Sequence, residues 1–162
     1  MTRGSSGLLA FCVVLAFVVA ACGSGGGGGG KRLSAPAYKS KLAEISKQVD
    51  AAHGNLSRGA RAATTIGAVQ AVLRQYAAAE ERFGAEVSKL NPPANADAAN
   101  TELASGERDD ATEIRALLPK LAKLKSPQEA FAYLQTVSHT KGGEEQTKAL
   151  AELKKLGYTN GS

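Results

Sequence analysis

From Tyr38 onward the apolar residues of this 162-residue chain recur three and four apart, a spacing that a helix gathers onto one face. Tyr38, Leu42, Ile45, Val49 and Ala52 form the first stripe, and Ile66, Val69, Leu73, Tyr76, Phe83, Val87 and Leu90 the second. Tryptophan is absent, β-branched and aromatic residues are few, and Ala, Leu, Lys and Glu are plentiful, a composition that favours helix over strand. The chain is therefore expected to be all-α.

The breaks between stripes set the helix number. Ser34 and Pro36 supply a cap and an early proline for a first helix starting near Ala35. Gly54-Asn55 and Gly59 offer stops, so its end is expected between Ala52 and Gly59. The second helix is longer and ends at Asn91-Pro92-Pro93, a breaker too strong to run through. A third carries Leu103, Ile114, Leu117, Leu121 and Leu124, with a weakly apolar first half and an expected kink at Pro119. Ser126-Pro127-Gln128-Glu129 is a capping box that opens a short helix with Phe131, Leu134 and Val137. Gly142-Gly143 is expected to break that helix, and a last one carries Ala149, Leu150, Leu153 and Leu156 before stopping at Gly157. The expected architecture over residues 34–158 is an antiparallel up-down bundle of about four helices, the last broken in two.

The first 21 residues do not belong to that bundle. A short polar stretch with Arg3, an apolar run from Leu8 to Val19, and the small residues Ala20 and Ala21 stand in the order of a secretory signal peptide. The run of about 12 residues is short for a membrane span, which needs about 20. Val19-Ala20-Ala21-Cys22 resembles the bacterial lipobox. The resemblance implies that Cys22 receives a diacylglyceryl group, palmitate-type chains included, and becomes the first residue of the mature protein. A conventional cleavage after Ala21, giving a free protein, and an uncleaved anchor are the competing readings. Residues 22–33 then form the lipidated cysteine and a linker, glycine from Gly23 to Gly30 apart from Ser24, with an end-to-end distance of roughly 16 Å. Lys31 and Arg32 follow, placed either to meet an anionic lipid surface or simply to solubilise the start of the domain.

Cys12 falls within the removed segment and Cys22 at the cleavage point, so the mature domain folds without disulfides. Without Arg3 the chain keeps 19 basic residues against 15 acidic ones, too weak a balance to argue for nucleic acid as a partner. Its distribution is more informative. Residues 80–115 carry nine acidic and four basic groups, while 31–61 and 120–156 are net basic, as expected if neighbouring helices complement one another's charge.

No catalytic set is assembled. Ser138-His139-Thr140-Lys141 matches the Ser-x-x-Lys pattern of penicillin-recognising enzymes, but Ser-Asp-Asn and Lys-Thr-Gly are missing and the chain is too short for that fold. His-Glu-x-x-His, a phosphate loop, paired Cys-x-x-Cys and a nucleophile elbow are also absent from the sequence. The aromatic residues sit at stripe spacing, which favours packing over a ligand box. Glu80 and Asp110 are the acids closest to the stripes. Facing helices could bring them together to bind a metal or a cationic ligand, although the Glu-x-x-His of di-metal bundles is missing. A shifted heptad would instead leave both at the bundle edge.

The lipobox with its glycine linker, the Leu90-Asn91-Pro92-Pro93 break and the helix from Leu153 to Gly157 together resemble the small helical lipoproteins of high-GC Gram-positive bacteria. That resemblance implies a lipid-anchored position on the extracytoplasmic face of the cell membrane and a helical fold. It brings no assigned activity and no cofactor. The expected function is a non-catalytic binding or structural module, its expected partners the bilayer through acylated Cys22 and an envelope protein. The alternative is a ligand or metal sensor using Glu80 and Asp110.

Overall fold

The computed structural model describes residues 31–137 and 139–159. The expected signal peptide (residues 1–21), Cys22, the glycines up to Gly30 and Ser138 lie outside the described residues. Five α-helices and no strand occur among the described residues: α1 (Ala35–Ala62), α2 (Ile66–Ser88), α3 (Asp97–Leu121), α4 (Pro127–Thr136) and α5 (Lys141–Lys155), with a 3-10 turn over Ala94–Ala96. The fold is an all-α bundle. Helices α1, α2 and α3 run up, down and up, α5 returns antiparallel to α3, and α3 packs on both α2 and α5.

Local chemistry sets most of the boundaries. Ser34 caps α1, its hydroxyl accepting from the Ala37 N–H at 3.4 Å, and Thr65 caps α2 by accepting from Ala68 N–H at 3.1 Å. Ser126 accepts from Glu129 N–H at 3.2 Å, while the Glu129 carboxylate reaches back to Lys125 N–H at 2.8 Å. The capping box thus forms with its return bond one residue early. Helix α5 ends in a Schellman turn: Gly157 has φ +80°, its N–H donates to Lys154 O, and Tyr158 N–H donates to Leu153 O, both at 2.9 Å.

Three boundaries differ from the sequence-based expectation. Helix α1 runs straight through Gly54 and Gly59 to Ala62. A Cβ at Gly59 would lie 2.7 Å from a Val72 methyl, so this glycine makes room for α2 instead of stopping α1. Packing of the helix face outweighs a penalty of about 1 kcal/mol per glycine. Gly142 and Gly143 do not break a helix either; they lie in the first turn of α5, behind the cap residue Thr140. Pro119 falls in the final turn of α3, which ends two residues later at Leu121, so Leu124 belongs to the connection.

The core is divided in two. Tyr38, Leu42, Phe83, Val87, Leu103 and Leu153 belong to one apolar cluster. Val69, Leu73, Ala77, Ala111, Ile114 and Leu121 belong to the other, against which α4 packs with Phe131, Tyr133 and Leu134. The first cluster sits at the end where α1 begins. There Arg32 makes a two-pronged bond to Asp97, 2.6 Å on each prong, and donates to Pro92 O at 2.8 Å, while Leu33 N–H donates to Asn91 O at 2.7 Å. Arg32 is therefore committed to the α2–α3 connection. Charge complementation between segments is seen in this pair and in Lys148–Glu102 at 2.7 Å. Such exposed pairs select register more than they stabilise.

Helices α3 and α5 approach closely. A Cβ on Gly142 would lie 2.2 Å from Asp110 N and 2.6 Å from Gly106 O. Both neighbours are backbone atoms, which cannot swing away. Gly142→Ala should therefore destabilise the fold by about 2–3 kcal/mol, the overpacking cost exceeding the roughly 1 kcal/mol that alanine gains in a helix. Urea denaturation of the variant measures this, and unchanged or increased stability would contradict the close crossing.

Candidate functional site

Between the two apolar clusters lies a layer of carboxyl groups. Glu80 on α2 is 0 % exposed, and Glu107 and Asp110 on α3 are 5 % and 8 % exposed. Their positions follow from helix period: Glu80 continues the face of Val69, Leu73 and Ala77, while Leu103, Glu107, Asp110 and Ile114 are spaced four, three and four apart. Both sequence-derived candidates, Glu80 and Asp110, are thus buried and not at the bundle edge. Glu107 was missed because the third stripe was read from its leucines and isoleucine alone; the four-three-four spacing was the signal that places it.

The groups around the layer come from every long helix. Gln146 of α5 donates from Nε2 to Glu80 Oε2 at 3.3 Å. His53 of α1, with its side chain 56 % exposed, holds Nε2 at 3.9 Å from Glu80 Oε1 and at 2.9 Å from the Tyr76 hydroxyl. The His53 and Tyr76 rings meet edge-on, centroids 5.2 Å apart. Asp110 faces the start of α5: Thr140 donates its hydroxyl hydrogen to Asp110 Oδ1 while accepting from Gly143 N–H at 3.1 Å. Gly142 N–H donates to Glu113 Oε2 at 3.4 Å. Asp110 and Glu113 therefore hold the positive end of α5, whereas Glu80 and Glu107 face one another.

Glu80 Oε1 and Glu107 Oε2 are buried and receive no hydrogen bond from any N–H or hydroxyl of the described residues. Two ionised carboxylates could not remain so. A proton retained on Glu107 resolves the conflict, because the carboxyl then hydrogen-bonds to Glu80. Burial pushes the Glu107 carboxyl up to about 10, reinforced by the bond to Glu80 and by the charges of Glu80 and Asp110. Burial also raises Asp110, against the opposing bond from Thr140, and raises the Tyr76 hydroxyl, with Glu80 adding to the effect. Among the described residues no group of three or more His, Cys, Asp or Glu side chains is arranged to hold a metal ion.

Glu107 also borders a cleft. Helix α1 packs on α2 and α5 packs on α3, which leaves a furrow between α1 and α5 of about 530 Å³. Its walls are Leu42, Ile45 and Val49 on one side and Leu150 on the other; Val87, Leu103, Glu107 and Gln146 line it too, with Asp50 and Lys154. In the neighbouring apolar cluster Tyr38 and Tyr158 meet edge-on, centroids 5.1 Å apart, and the Tyr38 hydroxyl donates to Asn100 at 3.0 Å. A depression of about 630 Å³ beside Asp97, Thr101 and Glu102 is lined by small and polar side chains of α3 and by Glu145. The α1–α5 cleft combines apolar walls with a buried acid of raised affinity for its proton, features that small-molecule sites share. No family model, curated protein or solved structure matches the chain.

A carboxyl that titrates near 4.5 in the unfolded chain and near 10 in the folded one stabilises the fold fully below the lower value. That contribution is lost as pH rises towards the upper value. The melting temperature should therefore fall between about pH 5 and pH 9, and Glu107→Gln, which keeps shape without the charge, should flatten the profile and raise the melting temperature at the alkaline end. A wild-type profile that rises with pH over this window would refute the buried proton.

Proposed function

We propose that the chain is an extracytoplasmic lipoprotein held on the cell membrane by acylated Cys22, and that its bundle is a non-catalytic binding module. The observation that carries the binding role is the α1–α5 cleft, a concave apolar site of suitable size bordered by the buried Glu107. The tether rests on Val19-Ala20-Ala21-Cys22 and on the glycines that follow. Two or three acyl chains on one residue anchor stably where a single chain does not. Among the described residues no helix is long and apolar enough to cross a membrane, so in this reading attachment belongs to the N-terminus.

Position supports the combination. The linker joins the bundle beside Arg32 and Asp97, at the end that also holds Asn91 and Tyr158. Leu42 lies seven residues into α1, about 10 Å from that end, and Thr159 also lines the cleft. With a linker of roughly 16 Å, the cleft would open within reach of the bilayer. A ligand sensor using interior acids is the second reading, favoured by the burial of Glu80 with Glu107; it differs in requiring the bundle to change when ligand binds. An envelope protein remains a partner this reading accommodates.

Mass spectrometry of protein extracted from membranes should show a mature N-terminus at Cys22 carrying diacylglyceryl. Cys22→Ala should abolish the modification and block processing at this position. An unmodified Cys22 thiol on the mature protein, or an intact N-terminal segment, would overturn the tether.

A further inference from the structure

We propose that the α1–α5 cleft binds a single-chain cationic amphiphile, with its tail along Leu42, Ile45, Val49 and Leu150 and its ammonium group against the Glu107 carboxylate. The proposal rests on the reading of the domain as a membrane-tethered binding module and names the ligand class of that site. Three independent features lead to it.

The first is shape and surface. Leu150 is the one large hydrophobic side chain that stands exposed among the described residues, at 43 %, and it faces the cleft opposite Leu42, Ile45 and Val49. Solvent exposure of that side chain beside an apolar furrow is relieved by an alkyl chain laid between the helices.

The second is charge. Glu80, Glu107 and Asp110 lie in the interior, and the groups around them are His53 of α1, Tyr76 of α2, Glu113 of α3, and Thr140 and Gln146 at and within α5. None of these is a lysine or arginine. Glu107 Oε2 and Glu80 Oε1 receive no hydrogen bond from those neighbours while ionised, so the complement they lack is a cation with N–H donors. Gln146, whose amide sits at a long 3.3 Å from Glu80, is the polar side chain that turns to admit it. The exchange balances: Glu107 gives up its proton to solvent, and the ammonium of the ligand, three N–H donors and one positive charge, takes the place of that proton between the carboxylates. At the cleft, Asp50 adds further negative charge and Lys154 opposes it.

The third is place. The cleft begins at Leu42, about 10 Å from the tether end of the bundle, so a ligand that partitions into the bilayer has a short path to the site. An amphiphile fits this position better than a freely soluble polar amine.

The test uses the mature chain, residues 22–162, with Cys22→Ser to keep it free of lipid, titrated calorimetrically with decylamine and with sodium decanoate below their micelle concentrations. Decylamine should bind at least about ten-fold more tightly than decanoate. Titrations in phosphate and in Tris should differ in heat by the release of close to one proton, and affinity should tighten as pH rises from 6 to 8. Glu107→Gln should lose the proton release and bring the two ligands to similar affinity, and Leu150→Lys, at an exposed position, should weaken both. Equal binding of the two ligands by the wild type, or a preference unchanged in Glu107→Gln, would overturn the ligand class while leaving the cleft as a site for apolar chains. Binding of neither overturns the proposal, whereas the lipoprotein reading stands or falls on the modification of Cys22.

Discussion

The structure depends on how closely α5 approaches α3. At Gly142 and Gly106 the two backbones meet with no room for a Cβ on either, and Gly84 of α2 lies against Ala104 O of α3 at the same level. Helix axes drawn together in this way leave no solvent channel beside the side chains that flank the crossing. Glu107 and Asp110 flank it, and Glu80 faces it from one turn along α2. Three carboxyl side chains are consequently taken out of water by a contact between backbones, that of Asp110 among them. The same contact settles which acids find donors: Asp110 meets the capped first turn of α5, while Glu80 and Glu107 meet one another.

A carboxyl layer between two apolar clusters is costly, since burying a charge without a partner is among the largest single penalties a fold can carry. Retention of a proton lowers that penalty but leaves the layer dependent on pH. An apolar residue at each of the three positions would join the two clusters into one and remove the dependence. Asp110 holds the first turn of α5, but stability does not account for Glu80 and Glu107, whereas the ligand proposed for the α1–α5 cleft would, because Glu107 borders both the layer and the cleft. Departures of this kind from a consistent core tend to mark functional positions.

Much of the architecture was legible in the chain because its signals are local. Ser34 and Ser126 each satisfy N–H groups within three residues, Asn91-Pro92-Pro93 cannot continue a helix, and Gly157 takes the left-handed conformation that closes α5. Such features act within one turn and need no knowledge of neighbours. Gly54, Gly59 and Gly142 were misleading for the complementary reason. As isolated residues they read as stops, yet Gly59 and Gly142 exist to let another helix approach, and that purpose becomes visible only when the neighbour is in place. Glu107 belongs to both categories: its spacing from Leu103 and Ile114 was there to be read, but its charge argued against a core position.

What the sequence determined by itself is the set of helices, their order, their caps and the apolar faces that must be covered, because periodicity and capping are properties of a few consecutive residues. It also carries Val19-Ala20-Ala21-Cys22, on which the proposed tether rests. The tertiary structure decided the depth of each face: that α1 continues to Ala62, that α3 lies between α2 and α5, and that α1 and α5 stay far enough apart to leave a cleft. It also decided that Glu107, more than Asp110, completes the pair with Glu80. Those outcomes turn on distances between segments up to 66 residues apart, as between Glu80 and Gln146, and no local signal encodes how closely two helices will meet.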